Sequence, residues 1–178
     1  KREDGLTDLP AQAGSRIQDD YPYEVAQVFG HTPELFYQAA VMVATLGYDG
    51  MDINMGCPMH KVEDQGSGAG LIRTPKVAQE IVLASKRGME DYAAGKVKVD
   101  DLDVSENVKK WVKEYVGKYS SYPVTQFSGG EQENRNTRMP ENRVLPVSVK
   151  TRIGVTHSVV EEWMATLMEV NPANISLH

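Results

Sequence analysis

Apolar and polar residues alternate in four stretches of the chain, with the period of two that is typical of β-strands. The clearest stretch is residues 50–55, where the apolar side chains share one face and the polar side chains the other: Met51, Ile53 and Met55 against Asp52 and Asn54. The other three are residues 24–30, 145–154 and 173–178. One apolar and one polar face suit a strand of a (β/α)8 barrel, because outward residues meet helices and inward residues meet the ligand.

Helical periodicity follows the strands. A threonine-proline pair, which supplies an N-cap residue and a proline at the first helical position, opens each of the first two helices. Apolar residues then recur at helical spacing until a glycine, Gly47 in the first helix and Gly88 in the second, predicts the end. A later helix is predicted from the capping box that runs from Ser158 to Glu161.

The alternation of strands and helices predicts parallel strands joined by helical crossovers. Residues 88–143 interrupt this rhythm with a charged stretch, a helix whose aromatic stripe we expect to pack locally, and a polar loop at 128–142. Because a βα connection needs only a few residues, we interpret this segment as an insertion. We therefore predict an α/β fold of the (β/α)8 barrel type, in one domain over residues 1–178.

Composition narrows the function classes. The chain has 178 residues, 40% of them hydrophobic, which is enough to bury the core of one domain. A mean hydropathy of −0.43 and the lack of an apolar run of about 18 residues exclude a membrane span, and no leader is recognisable. The single cysteine cannot form an internal disulfide, which is typical of a reducing, cytoplasmic location. A net charge of −6 disfavours a generic nucleic-acid patch but leaves room for a local basic surface.

Polar side chains at the strand ends share one chemical theme. Cys57 follows the strand at 50–55 within a Gly-Cys-Pro turn, and it is either a small buried hydrophobe or a functional thiol. Four other side chains lie opposite the aliphatic residues of their strands or near strand ends: Gln27, Asn54, Lys150 and His178. Because the carboxyl ends of parallel strands meet at one edge, we expect a common site there. No metal site is expected.

Four motifs, taken in order, carry a family resemblance: AQVFG, DINMGCP, GSGAGL and PVSVKTRIG. Over residues 23–88 and 144–178 they resemble the tRNA-dihydrouridine synthases. The resemblance implies a cytoplasmic, flavin-dependent oxidoreductase with a (β/α)8 barrel that binds FMN and tRNA. Such an enzyme takes electrons from NADPH or NADH and reduces the C5–C6 double bond of a uridine in tRNA.

On the matching residues, the resemblance implies a role for each candidate. Cys57 would be the general acid that gives a proton to C5 of the uracil while hydride reaches C6, and a cysteine thiol is largely protonated near neutral pH. Lys150 would lie near the N1/O2 edge of the flavin and stabilise its reduced form. The other candidates would contact the flavin or the target base (Gln27, Asn54, His178) or tRNA (Lys61, Arg152), although the last two also fit solvated surface charges.

The resemblance also predicts what the chain lacks. A complete (β/α)8 barrel needs about 250 residues, and the motifs match about strands two to five of such a barrel. The first strand, the strands that cradle the FMN phosphate and the C-terminal tRNA-binding helical domain are not recognisable. We therefore expect a partial barrel, which in isolation neither holds FMN tightly nor turns over.

Two alternatives stay open at this point. One is an FMN-dependent barrel oxidoreductase that acts on a small pyrimidine-like substrate, and the other is a non-catalytic RNA-binding module. The modified tRNA position, the choice of nicotinamide, the oligomeric state and the role of residues 88–143 are left open by the sequence.

Overall fold

The computed structural model describes residues 24–119 and 143–178, and within these ranges four strands form one parallel sheet. The strands pair in chain order: β1 (Val25–Val28), β2 (Gly50–Met55), β3 (Val147–Thr151) and β4 (Ile175–Leu177). The α/β class and the parallel strand order predicted from the sequence are confirmed.

The helices of the described ranges lie between these strands. They are α1 (Pro33–Thr45), α2 (His60–Glu63), α3 (Pro75–Ala93), α4 (Glu106–Tyr119) and α5 (Val160–Glu169), with 3-10 turns at Gly68–Arg73 and Val99–Asp101. Prolines occupy the first position of α1 and α3 as predicted, and Gly47 follows α1 with a φ of 83°. The predicted capping box at Ser158 is wrong, because α5 begins after Val159 and has no side-chain cap. None of the helices described is long and apolar enough to cross a membrane.

The two faces of the sheet differ in polarity. One face packs against α1, α3 and α5, in a buried apolar core that includes Met51, Ile53, Met55, Val147, Val149, Phe36, Ile81 and Leu167. The side chains between them point to the other face and are half-buried or exposed: Gln27, Asp52, Asn54, Ser148 and Lys150. The period-two pattern therefore assigned both faces correctly.

Helix α3 continues through Gly88 to Ala93, so the predicted helix end at Gly88 is wrong. Gly88 lies against the backbone of α1. A Cβ at Gly88 would lie 2.6 Å from the carbonyl oxygen of Tyr37 and 2.9 Å from the Cβ of Ala40. The glycine permits close helix packing rather than ending the helix, and the interruption of the β-α rhythm begins only after Ala93.

A polar contact joins the same two helices. The Tyr37 hydroxyl donates to the Asp91 carboxylate at 3.2 Å, and the Arg87 guanidinium lies 5.3 Å from the centre of the Tyr37 ring. Burial, together with the hydrogen bond to Asp91, raises the pKa of Tyr37 above its usual range. The phenol therefore remains a hydrogen-bond donor throughout the neutral pH range.

Replacing Gly88 with alanine is expected to lower the free energy of unfolding by roughly 1–3 kcal/mol, because the backbone of α1 must move to admit the methyl group. Gly117 in α4 is the matched control, since a Cβ there meets nothing within 4 Å. Alanine at Gly117 should stabilise the protein by about 0.5–1 kcal/mol through its higher helix propensity. Urea unfolding of both variants measures the two changes in the free energy of unfolding. A gain in both variants or a loss in both would contradict the packing argument.

Helix α4 divides its apolar side chains between two environments. Val112 is buried, and α4 contacts both α1 and the 3-10 turn at Val99–Asp101. Trp111 is 56% exposed and stacks on Tyr115, with ring centroids 5.4 Å apart. The two rings thus pack on each other outside the core. The polar loop predicted at 128–142 lies outside the described residues.

Candidate active site at the carboxyl edge of the sheet

A cleft of about 310 Å³ opens where β2, β3 and β4 end. Its lining contains five of the seven residues predicted from the sequence: Asn54, Cys57, Lys150, Arg152 and His178. They meet because the strands are parallel and in register, with Asn54 paired with Lys150 and the backbone N–H of His178 donating to the carbonyl oxygen of Thr151 at 3.0 Å. These five side chains therefore lie together at the predicted edge of the sheet.

The turn that presents Cys57 is held by the side chain of Asn54. The Oδ1 atom of Asn54 accepts hydrogen bonds from the backbone N–H groups of Gly56 at 3.1 Å and Cys57 at 3.0 Å. Such an Asx arrangement substitutes for strand pairing where β2 ends. It leaves Cys57 half-buried, as a free thiol at the rim of the cleft.

The glycine-rich loop after α2 packs directly onto Cys57. The backbone N–H of Ala69 donates to the carbonyl oxygen of Cys57 at 3.0 Å. Gly68 has a φ of +57°, and a Cβ there would lie 2.8 Å from the same carbonyl oxygen and 3.1 Å from the Cβ of Cys57. Only glycine combines this backbone conformation with this contact. The loop therefore holds Cys57 through its carbonyl oxygen, whereas Asn54 holds it through its backbone N–H.

A chain of side-chain hydrogen bonds crosses three strands next to the cleft. The Asn54 Nδ2 donates to the Gln27 Oε1 at 3.1 Å, and the Gln27 Nε2 donates to the Asp52 Oδ2 at 2.6 Å. The Ser148 Oγ donates to the other carboxylate oxygen of Asp52, also at 2.6 Å. Gln27 does not line the cleft itself but is joined to it through Asn54.

A second set of hydrogen bonds lies on the apolar face, where the hydroxyl of buried Thr151 connects β2, β3 and α5. It donates to the carbonyl oxygen of Met55 at 3.1 Å and accepts from the indole N–H of Trp163 at 2.9 Å. The ends of β2 and β3 are thus held together directly beneath the cleft, and α5 is bonded to them.

The cleft is cationic although the chain as a whole is acidic. Lys150, Arg152 and His178 line it, and none of its lining residues carries a carboxylate. Within the described ranges, neither Lys150 nor Arg152 is in one of the ion pairs, which all lie elsewhere. Lys61 lies outside the cleft on α2 and is exposed. An anionic or acceptor-rich ligand fits these charges.

A larger cavity, of about 390 Å³, lies beside the end of β1. Its walls are mostly apolar, and its polar contact is between the His31 Nδ1 and the Oγ of buried Ser67, 3.2 Å apart. This pair ties the turn after β1 to the glycine-rich loop. Because Cys57 and Lys150 are absent from its walls, the smaller cleft is the better candidate for chemistry.

Sequence reasoning assigned no role to Asp52, Thr151 or Gly68. Asp52 shares a face with Asn54 by the period of two, so a signal for its place on the site face was present. The GSGAG segment likewise showed a loop, but not that Gly68 contacts Cys57. The hydrogen bonds of Asp52 and the contact of Gly68 with Cys57 depend on which residues of distant segments lie side by side. Periodicity carries no such information.

Fold and site together define a class first: an α/β protein in which the carboxyl edge of a parallel sheet holds a half-buried cysteine in a cationic cleft. The chain matches the dihydrouridine synthase (Dus) family over residues 11–117. This match covers more than half of the 178 residues, and the chain belongs to that family. The resemblance seen in the four motifs is thereby confirmed.

Individual relatives agree with this assignment. The chain is 30% identical to the probable tRNA-dihydrouridine synthase 2 of Bacillus subtilis over 162 residues, 90% of this chain and 33% of the relative. It is 44% identical to a probable tRNA-dihydrouridine synthase of Staphylococcus aureus over 71 residues, 40% of this chain and 21% of the relative. A Staphylococcus epidermidis relative of the same description is 43% identical over 72 residues, 40% and 22% of the two chains. The chain spans about a fifth to a third of the length of these curated relatives.

Proposed function

We propose that the protein carrying this chain is a cytoplasmic tRNA-dihydrouridine synthase, which reduces the C5–C6 double bond of a uridine in tRNA with FMN and NADPH. The observation that carries the proposal is the cationic cleft that brings Cys57 and Lys150 together in a member of this family. Relatives that are named as probable tRNA-dihydrouridine synthases support the same assignment.

The polarity of the sheet supports a barrel wall as the architecture of the whole domain. A doubly wound sheet covers both faces with helices, and its strands are apolar on both sides. Here the face opposite the helices carries polar residues, including Asp52 and Lys150. A polar inner face at the carboxyl end of parallel strands suits a (β/α)8 barrel that binds its ligand there.

The cleft residues fit a flavin. Isoalloxazine offers oxygen and nitrogen acceptors along one edge and carries negative charge when reduced, so it needs donors and a cation. Lys150 supplies the cation, and Gln27 and Asn54 each keep one amide N–H that is not used in the hydrogen-bond chain. We assign these three residues to the flavin site, with His178 beside them at the end of β4. Bound FMN would supply hydride to the pyrimidine ring.

We assign to Cys57 the donation of the proton to the pyrimidine ring. Hydride addition at C6 of uracil leaves negative charge at C5 and O4, and the product forms only when C5 is protonated. The thiol of Cys57 lies at the rim of the cleft, half-buried, where it can reach a base placed in the cleft from solvent. Asn54 and Gly68 hold the backbone of Cys57 from two sides, so the proton donor has a defined position.

The surface around the cleft suits a polyanion. Arg152 lines the cleft, and Lys61 lies exposed on α2 only four residues after Cys57. Neither is in an ion pair among the described residues, so both are available to phosphate oxygens. We assign them to contact with tRNA near the target base.

The experiment that tests the proposal uses the full-length protein. The visible spectrum is recorded for bound flavin, NADPH is added anaerobically to follow bleaching of the oxidised flavin band, and dihydrouridine is then measured in unmodified tRNA. We expect a yellow protein that NADPH bleaches and that forms dihydrouridine in tRNA but not in free uridine or uracil. Bleaching with reduction of a free pyrimidine instead would identify a small-molecule oxidoreductase. A colourless protein that binds tRNA would contradict an enzymatic function.

A further inference from the structure

The hydrogen bonds on the polar face of the sheet all point the same way from donor to acceptor. They lead from the backbone N–H groups of the Cys57 turn through Asn54 and Gln27 to Asp52. We propose that Asp52 is a positioning residue: it fixes the orientation of the Gln27 amide and, through Gln27 and Asn54, the turn that holds Cys57. Its consequence for catalysis rests on the function proposed above. Its consequence for the Cys57 turn does not, because that turn belongs to this chain alone.

The two ends of the chain of hydrogen bonds have opposite chemistry. At one end, the Asp52 carboxylate can only accept, and the Gln27 Nε2 approaches it at 2.6 Å. At the other end, the backbone N–H groups of Gly56 and Cys57 can only donate, so the Oδ1 of Asn54 must face them. A reversed Gln27 amide would put its carbonyl oxygen against the carboxylate and its NH2 group against the NH2 group of Asn54. Both amide orientations are therefore determined by their neighbours.

This polarity decides what the inner face presents to a ligand. Both lone pairs of the Asn54 Oδ1 are occupied by backbone N–H groups. The Gln27 Oε1 uses one of its two lone pairs for Asn54, and the Nε2 atom of Gln27 keeps one N–H. The Asn54 amide therefore adds a donor and no acceptor next to the cation of Lys150, and the Gln27 amide adds one donor and one acceptor site. Asp52 sets this pattern although it does not line the cleft itself.

A purely structural role for Asp52 explains less. Among the described residues no cation forms an ion pair with Asp52, and its carboxylate is half-buried, so its charge carries a desolvation cost. That cost is offset by hydrogen bonds from Gln27 on β1 and Ser148 on β3. A neutral side chain of similar size would pair with either neighbour but would not impose a direction on Gln27.

The test exchanges the charge between the two partners in the full-length protein. Gln27→Glu alone places two carboxylates at a 2.6 Å contact. Adding Asp52→Asn restores one carboxylate and one amide, so that the side chain at position 27 is again bonded to position 52 and held in place to accept from Asn54. The readout is the rate at which iodoacetamide alkylates Cys57 in flavin-free protein, followed by mass spectrometry of the Cys57 peptide. Ser148→Ala is the matched control, because Ser148 contacts Asp52 but not the amides.

We expect Gln27→Glu to raise the alkylation rate about tenfold as the Cys57 turn loosens, and the double variant to return within about threefold of the wild type. Asp52→Asn alone should raise the rate by about threefold to tenfold, because asparagine can bond to Gln27 in either orientation, whereas Ser148→Ala should change it by less than about threefold. Alkylation at the wild-type rate in a folded Gln27→Glu variant, or no recovery in the double variant, would overturn the proposal. If Gln27→Glu does not fold, refolding of the double variant with a wild-type rate supports it, and failure of the double variant opposes it.

The same variants separate this inference from the proposed function. If the alkylation pattern appears but the wild-type protein forms no dihydrouridine, Asp52 positions Cys57 for a different reaction. If dihydrouridine forms, kcat of the double variant should be closer to the wild-type value than kcat of Gln27→Glu. KM for tRNA should stay unchanged, since the residues assigned to tRNA contact are Lys61 and Arg152 and not Asp52 or Gln27. A change confined to KM would oppose a positioning role.

Discussion

Cys57→Ala is expected to lower the rate of dihydrouridine formation in tRNA by roughly a hundredfold to ten-thousandfold, the range that general acid catalysis contributes. The reason is the place of the thiol: Cys57 is at the rim of the cleft, and no carboxylic acid among the cleft residues could replace it as a donor. The measurement is single-turnover formation of dihydrouridine with prereduced protein. Bleaching of the flavin by NADPH should be unchanged, because Cys57 has no part in electron entry.

Cys57→Ser distinguishes proton donation from packing. Serine keeps the size and the half-buried position of Cys57, but its hydroxyl is a far weaker acid than a thiol. We expect it to be nearly as inactive as alanine while it preserves the free energy of unfolding. A serine variant with wild-type turnover would show that Cys57 only fills space, and an alanine variant with wild-type turnover would remove it from the mechanism.

The face pattern of the sheet could be predicted because it depends only on neighbouring residues. In β2, apolar and polar side chains alternate, and the structure buries Met51 and Ile53 against helices and leaves Asp52 and Asn54 on the other face. Helix starts marked by proline were also readable, since proline acts through its own backbone. The edge at which the candidates gather then followed from parallel strand order.

Lateral relations between segments could not be predicted in the same way. The chain of hydrogen bonds needs Gln27 to lie beside Asp52, a register set by the packing of β1 on β2. Gly88 was interpreted as a helix end because glycine often follows a helix. Its contact with Tyr37 depends on how two helices pack, which the sequence does not show. For the same reason Lys61 and Gln27, although predicted for the site, lie outside the cleft lining: one is on α2, and the other reaches the cleft only through Asn54.

Gly68→Ala is expected to impair both the folding of the protein and the position of Cys57. Its φ of +57° is strained for alanine, and the new Cβ would lie 2.8 Å from the carbonyl oxygen of Cys57, so the loop and Cys57 must separate. We expect a loss of roughly 2–4 kcal/mol in the free energy of unfolding, from backbone strain and overpacking together. A shift of Cys57 by about 1 Å should lower dihydrouridine formation by roughly a hundredfold.

Gly66 is the matched control, because it belongs to the same loop and has a φ of +74°, yet a Cβ there would meet only the Cβ of His31, at an ordinary 3.9 Å. Gly66→Ala should cost about 1–2 kcal/mol from backbone strain alone and leave turnover within about threefold of the wild type. Urea unfolding and single-turnover assays on both variants separate strain from contact. Equal losses of turnover in the two variants would show that backbone strain is the cause and would exclude the contact with Cys57. A loss of turnover restricted to Gly68→Ala, under conditions where both variants remain folded, would show that the glycine-rich loop positions the proton donor.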